Sequence, residues 1–147
     1  MNIHATGLVY RGYGLLIRGA SGMGKSLLAL SLLEYADATS QKAILVSDDR
    51  VDIGAENGDL HMYAPAELQG KIELWGHGIL DVDFVPSAKI ELIVDIVKLG
   101  ERMPESSDFF EELLTRILPR CPIPSTMHAG FEHQRLLLHA AIKTLGK

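Results

Sequence analysis

A chain of 147 residues with 47% hydrophobic content is sized for one domain with a real core, and no repeat or low-complexity tract divides it. Lys and Arg total 14 against 19 Asp and Glu, a net charge of −5, which excludes a nucleic-acid partner held by a basic face and points to a nucleotide or a protein. The single cysteine, Cys121, excludes an intrachain disulfide; with no apolar run near the ~18 residues of a membrane span and no basic, apolar leader, the chain reads as soluble and cytoplasmic.

Residues Ile3 to Tyr10 and Tyr13 to Arg18 are two extended runs separated by Arg11-Gly12, the spacing of a tight hairpin. An antiparallel neighbour beside the second run predicts a mixed sheet. If Tyr10 faces Tyr13, counting back and forward together places His4 opposite Gly19, an imidazole beside the segment that follows.

That segment, Gly19-Ala20-Ser21-Gly22-Met23-Gly24-Lys25-Ser26, matches the G-x-x-x-x-G-K-[ST] phosphate loop. Its glycines let successive amides point at phosphate oxygens, its lysine reaches the outer phosphates and its hydroxyl holds Mg²⁺. The flanks agree, with the apolar run Tyr13 to Ile17 before it and strong helix formers from Ser26 to Glu34 after it. Glu34 to Lys42 reads as polar and turn-like.

Ala43 to Ser47 is a buried strand ending in Asp48-Asp49. Carboxylates at the carboxyl end of a strand beside a phosphate loop can hold Mg²⁺ or accept a proton from an attacking hydroxyl. Arg50 to Ile53 and Leu60 to Tyr63 flank a loop of turn formers, a second hairpin, and Ala64 to Gln69 is one helical turn stopped by Gly70. Lys71 to Leu74 and Ile79 to Val82 are strands around Trp75-Gly76-His77-Gly78, whose glycines imply a tight backbone or a close ligand. Ala88 to Val97 reads as one strand, Asp108 as the start of an amphipathic helix with Glu111 in capping-box position, Pro119 to Pro124 as a stiff connector, and Phe131 to Leu145 as a terminal helix. His133 and His139 are six apart on that helix, so they form no metal pair.

His4, the loop Gly19 to Ser26, the pair Asp48-Asp49 and Glu73-Leu74-Trp75-Gly76-His77-Gly78 together resemble the C-terminal catalytic domain of HPr kinase/phosphorylase, over roughly the first 85 residues. The resemblance implies an α/β phosphate-loop kinase domain with a mixed sheet, similar to the nucleotide-binding part of phosphoenolpyruvate carboxykinase, in the truncated form that consists of the catalytic domain alone. It implies a cytoplasmic, ATP- and Mg²⁺-dependent serine kinase of the phosphocarrier protein HPr or an HPr-like protein. Carried over residue by residue, Lys25 contacts the transferred phosphoryl group, Ser26 and Glu73 ligate Mg²⁺, Asp49 is the base for the acceptor serine, with Asp48 exchangeable for it, and His4 completes the site. Trp75 stands where the family's Glu-x-Arg-Gly-x-Gly signature has arginine, and the family's later Pro-Gly-Arg-Asn loop has no match. An ATP-binding regulatory module without transfer and a small-molecule kinase are the competing readings, and monomer and homo-oligomer are both open.

Overall fold

The computed structural model describes residues 1–98 and 103–146, which form twelve strands and two α-helices. Strand β1 (Asn2–His4) leads into β2 (Thr6–Tyr10) and β3 (Tyr13–Arg18), which pair antiparallel with Tyr10 opposite Tyr13, as the two-residue spacing requires. Arg11 and Gly12 both take positive φ, 52° and 84°, the turn that matches the twist of the flanking strands. After the phosphate loop come α1 (Lys25–Ala38), β4 (Ala43–Ser47), β5 (Arg50–Glu56) and β6 (Asp59–Tyr63). The hairpin β7 (Lys71–Leu74) and β8 (Gly78–Asp81) follows, then β9 (Ser87–Lys89), β10 (Leu92–Val97), β11 (Phe110–Leu113), β12 (Arg116–Pro124) and α2 (Phe131–Leu145).

The central sheet runs β11-β12-β10-β3-β2-β4, parallel where β10 meets β3 and β12 and antiparallel elsewhere, so it is mixed. Its inner strands carry unbroken apolar runs because both faces are covered. Leu15, Ile17, Val94 and Ile96 meet Leu28 and Leu32 of α1 and Leu138 and Ile142 of α2 on one side. Leu16, Val46 and Ile93 meet Val51, Ile53 and Met62 of a second sheet, ordered β1-β5-β6-β9, on the other. The result is helices, central sheet and smaller sheet in three layers.

Four expectations change. The β2–β3 ladder ends at the pair Thr6–Ile17; the chain then crosses at buried Ala5 into the second sheet, where His4 pairs with Arg50, so His4 is not opposite Gly19. Helix α1 extends to Ala38 instead of yielding a turn at Glu34, because buried Ala36 packs in the helix-side core. Residues 88–97 do not form one strand: they break at Ile90-Glu91, whose amides bond the carbonyls of Leu60 and Gly14, splitting β9 from β10. A Cβ at Gly14 would lie 1.7 Å from the Lys89 carbonyl oxygen, so that close passage requires glycine.

The fourth change is the largest. The helix expected from Asp108 is a 3₁₀ turn, Ser106–Phe109, followed by the hairpin β11–β12, and the capping box lies one turn earlier, between Glu105 and Asp108. The prolines expected to form a connector lie inside β12. Pro119 sits just before the first registered pair with β10, and Pro122 and Pro124 lie past Phe110, where β12 has no β11 partner, positions at which a strand tolerates a lost donor.

Among the described residues, no helix is long and apolar enough to cross a membrane. Cys121 is buried, and that burial pushes its thiol up to about 12, which makes it an inert core residue.

Candidate active site

The phosphate loop joins the carboxyl end of β3 to the first turn of α1, so the helix's free amides and the loop's own amides converge on one concavity. Gly22 and Gly24 have φ of 81° and 96°, and a Cβ at either would meet nothing, so the demand there is conformational. At Gly19 the demand is steric, since a Cβ would sit 3.2 Å from that of Ile96 on β10. The Lys25 ammonium donates to the Gly19 carbonyl at 2.9 Å, folded back over the loop.

Asp48 and Asp49 are neighbours in sequence and opposites in setting. Asp48 is 5% exposed and accepts from three donors: Thr6 Oγ1 at 2.8 Å, Ser26 Oγ shared between its two oxygens at 2.8 and 3.0 Å, and the Glu73 amide at 3.1 Å. It thereby ties the loop's hydroxyl to β2 and β7. The Asp49 side chain is 71% exposed, its backbone is left-handed at φ 69°, and His4 Nδ1 lies 3.9 Å from its carboxylate. Positive φ is uncommon for a residue other than glycine, with aspartate among those that tolerate it, and here it turns the carboxylate outward.

The loop residues Ser21, Gly22, Gly24, Lys25 and Ser26 line a cleft of about 560 Å³ together with Asp48, Asp49 and Glu73. The structure therefore brings together the predicted residues of three separate segments; His4 stands beside Asp49, outside that lining. The far wall is the β7–β8 hairpin. Its pairing sets Glu73 opposite Ile79 and Lys71 opposite Asp81 on one face, with Ile72 opposite Leu80 packed into the core on the other. Lys71 and Asp81 form an ion pair across the hairpin.

Thr6 was not singled out as a site residue, although it holds Asp48; a hydroxyl inside an apolar strand carries no motif. A larger open hollow, about 670 Å³ around Arg11, Lys42 and Lys143, lies at the opposite end of β3 and holds none of the motif residues.

Beneath the loop, Arg18 donates to both oxygens of Asp95 at 2.7 Å and to Glu111 at 2.5 Å, and Arg120 donates to Asp95 at 2.6 Å. Burial disfavours the charged Asp95, but these hydrogen bonds outweigh it and hold the carboxyl below its usual range.

The donor set suits a hard cation bound mainly through a substrate. Among the described residues no three His, Cys, Asp or Glu side chains form a metal cage. A hydroxyl and a carboxylate, Ser26 and Glu73, with phosphate oxygens and water completing the shell, is the pattern Mg²⁺ takes.

The family described as HPr Serine kinase C-terminal domain matches residues 1–114. The chain belongs to that family. The match reaches beyond the 85 or so residues that carry the sequence resemblance, into the β11–β12 hairpin. Among curated relatives, the HPr kinase/phosphorylase of Streptococcus gordonii is 35% identical over 136 residues, covering 84% of this chain and 42% of the relative. That of Cupriavidus necator is 32% identical over 125 residues, covering 77% and 37%. The chain thus spans about two-fifths of the length of these relatives. The solved structure of the Hpr(Ser) kinase/phosphatase from Coxiella burnetii superposes with a TM-score of 0.78 at 28% identity and covers 99% of both chains. The chain therefore has the α/β fold of the HPr kinase C-terminal domain.

Proposed function

We propose that this chain is an ATP- and Mg²⁺-dependent protein serine kinase acting on HPr or an HPr-like phosphocarrier. The observation that carries the reading is the division of the paired acids: Asp48 is buried on the Ser26 hydroxyl, while Asp49 stands exposed at the cleft beside the same loop. A module that only bound nucleotide would have no use for a free carboxylate there, which argues against the regulatory reading.

In this reading the loop amides hold the phosphate chain, and Lys25 leaves the Gly19 carbonyl for the outer phosphate oxygens. Ser26 and Glu73 would hold Mg²⁺, which supplies charge neutralisation across the phosphates, and Asp48 fixes the Ser26 oxygen that faces it. The acceptor seryl oxygen attacks the γ-phosphorus, the bond to the β,γ-bridging oxygen breaks, ADP departs with that oxygen, and the seryl proton passes to Asp49. His4 Nδ1 lies 3.9 Å from the Asp49 carboxylate, beyond hydrogen-bond reach, and would have to close on it to take part. The test is incubation of the purified chain with labelled ATP, Mg²⁺ and HPr. Labelled phosphoserine in HPr is expected; ATP binding with no label in HPr or in related phosphocarriers would leave the regulatory module instead.

A further inference from the structure

The cleft has linings of two kinds. One is ionic, built from the loop amides, Lys25, Asp48, Asp49, Lys71 and Glu73; the other is apolar, built from Leu27, Leu68, Ile72, Trp75 and Ile79. Trp75 is 83% exposed and Ile79 62%, so the apolar lining leaves its two main side chains uncovered. Ile79 is the cross-strand partner of Glu73, and Trp75 follows the end of β7 in the turn that leads to β8.

We propose that Trp75 is the nucleobase platform of this site, stacking on the base of a nucleoside triphosphate whose phosphates the loop holds. The proposal rests on the kinase reading above and adds what that reading leaves out. A nucleoside triphosphate is divided as the cleft is, with a polyanion at one end and a flat aromatic face at the other. Direction follows from the loop: Lys25 serves the outer phosphates, so the outer end and the acceptor belong on the Asp49 side. The inner end, with sugar and base, then runs toward the first turn of α1, where Leu27 follows Ser26, and β7 packs along that helix. The hairpin that carries Trp75 therefore flanks the nucleotide's path, and the acceptor belongs on the Asp49 side.

Stacking reads a π-face and not a hydrogen-bond pattern, so the platform discriminates a nucleotide from a bare polyphosphate without choosing strongly between purines.

Trp75 is the chain's only tryptophan, so its fluorescence reports on this position alone. ATP, GTP and inorganic tripolyphosphate, each with Mg²⁺, should all bind by calorimetry, but only the two nucleotides should quench the emission. Trp75→Ala should weaken ATP and GTP by about tenfold and leave tripolyphosphate unchanged, and Trp75→Phe should recover most of the loss. An exposed side chain makes both variants safe to fold. Equal loss for tripolyphosphate and ATP, or no loss for either nucleotide, overturns the platform, as does quenching by HPr but not by nucleotide. Failure of tripolyphosphate to bind the unaltered chain would instead bring down the phosphate-loop reading, and the platform with it.

Discussion

Asp48 and Asp49 differ less in chemistry than in what surrounds them, and substitution should separate them. Asp49→Asn should abolish phosphate transfer while leaving ATP affinity within about tenfold, because a base acts in the transition state and not in ground-state binding. Glu73→Gln should raise the Mg²⁺ concentration needed for half-maximal activity before it lowers the maximal rate; equal effects of the two substitutions on binding would mean the roles are reversed. Asp48→Ala should act first on folding. It strips the acceptor from Thr6 and Ser26 hydroxyls and the Glu73 amide, and an unsatisfied buried donor costs about 1–3 kcal/mol, readable as a lower denaturation midpoint. The loop and the acid pair were legible in the sequence because each is a local pattern with a chemical reason. Which acid is buried was not, because the answer depends on Thr6, forty-two positions away.

At the level of elements, helix α2 was readable to its ends, since its apolar stripe and the glycine after it are local signals. The β11–β12 hairpin was not. Phe109, Phe110, Leu113 and Leu114 fit a helical period, but pairing of β12 with β10 and the bridge from Arg120 to Asp95 decide the outcome, and neither leaves a mark on nearby residues. Helix α2 also carries a testable pH response. His139 shares a 2.8 Å hydrogen bond with the Tyr10 hydroxyl and stacks on its ring, and its pKa is lowered by burial, then by Arg11 and Arg135. Tyr35 packs on the other side of the imidazole, with Arg135 over its ring, so no carboxylate partner of the imidazole is seen among the described residues. A depressed histidine pKa stabilises the fold above the unfolded value near 6.5 and loses that contribution as pH falls through it toward the folded value. Thermal midpoints should therefore drop as pH falls below about 6.5, with a shallower slope in His139→Gln; parallel slopes would exclude the histidine as the cause.

Across the whole molecule, the proposed kinase reading meets little fixed positive charge at the cleft among the described residues: Lys25 and Lys71 line it, and Lys71 is paired with Asp81. Dephosphorylation of a seryl product by inorganic phosphate brings two separate anions into one site, whereas ATP brings its phosphates linked and partly neutralised by Mg²⁺. Trp75 offers one neutral donor where arginine offers five charged ones. Arg18, directly before the loop, is committed to Asp95 and Glu111, and Arg50 to Asn2 on the second sheet. Phosphorylation should accordingly outrun the reverse reaction by more than in relatives that keep the signature arginine. Comparable initial rates, measured from phosphorylated HPr with phosphate and Mg²⁺, would refute this, and loss of the reverse rate in Arg50→Ala would locate a compensating charge.

The crossing of the chain between its two sheets carries a mechanical consequence. It happens twice at one spot, at Ala5 between β1 and β2 and at Asp48-Asp49 between β4 and β5, and the Ala5 amide bonds the Asp49 carbonyl across the seam. Asp48 is thereby anchored in the layer that bears the phosphate loop, while Asp49 and His4 ride on the layer behind it. On the proposed reading, the distance from Asp49 to the phosphate loop is thus a property of how two slabs are seated on one another, set by the fit of Leu16, Val46, Met62 and Ile93. Wear in that seat would leave nucleotide gripped as firmly as before and let the catalytic stroke go slack.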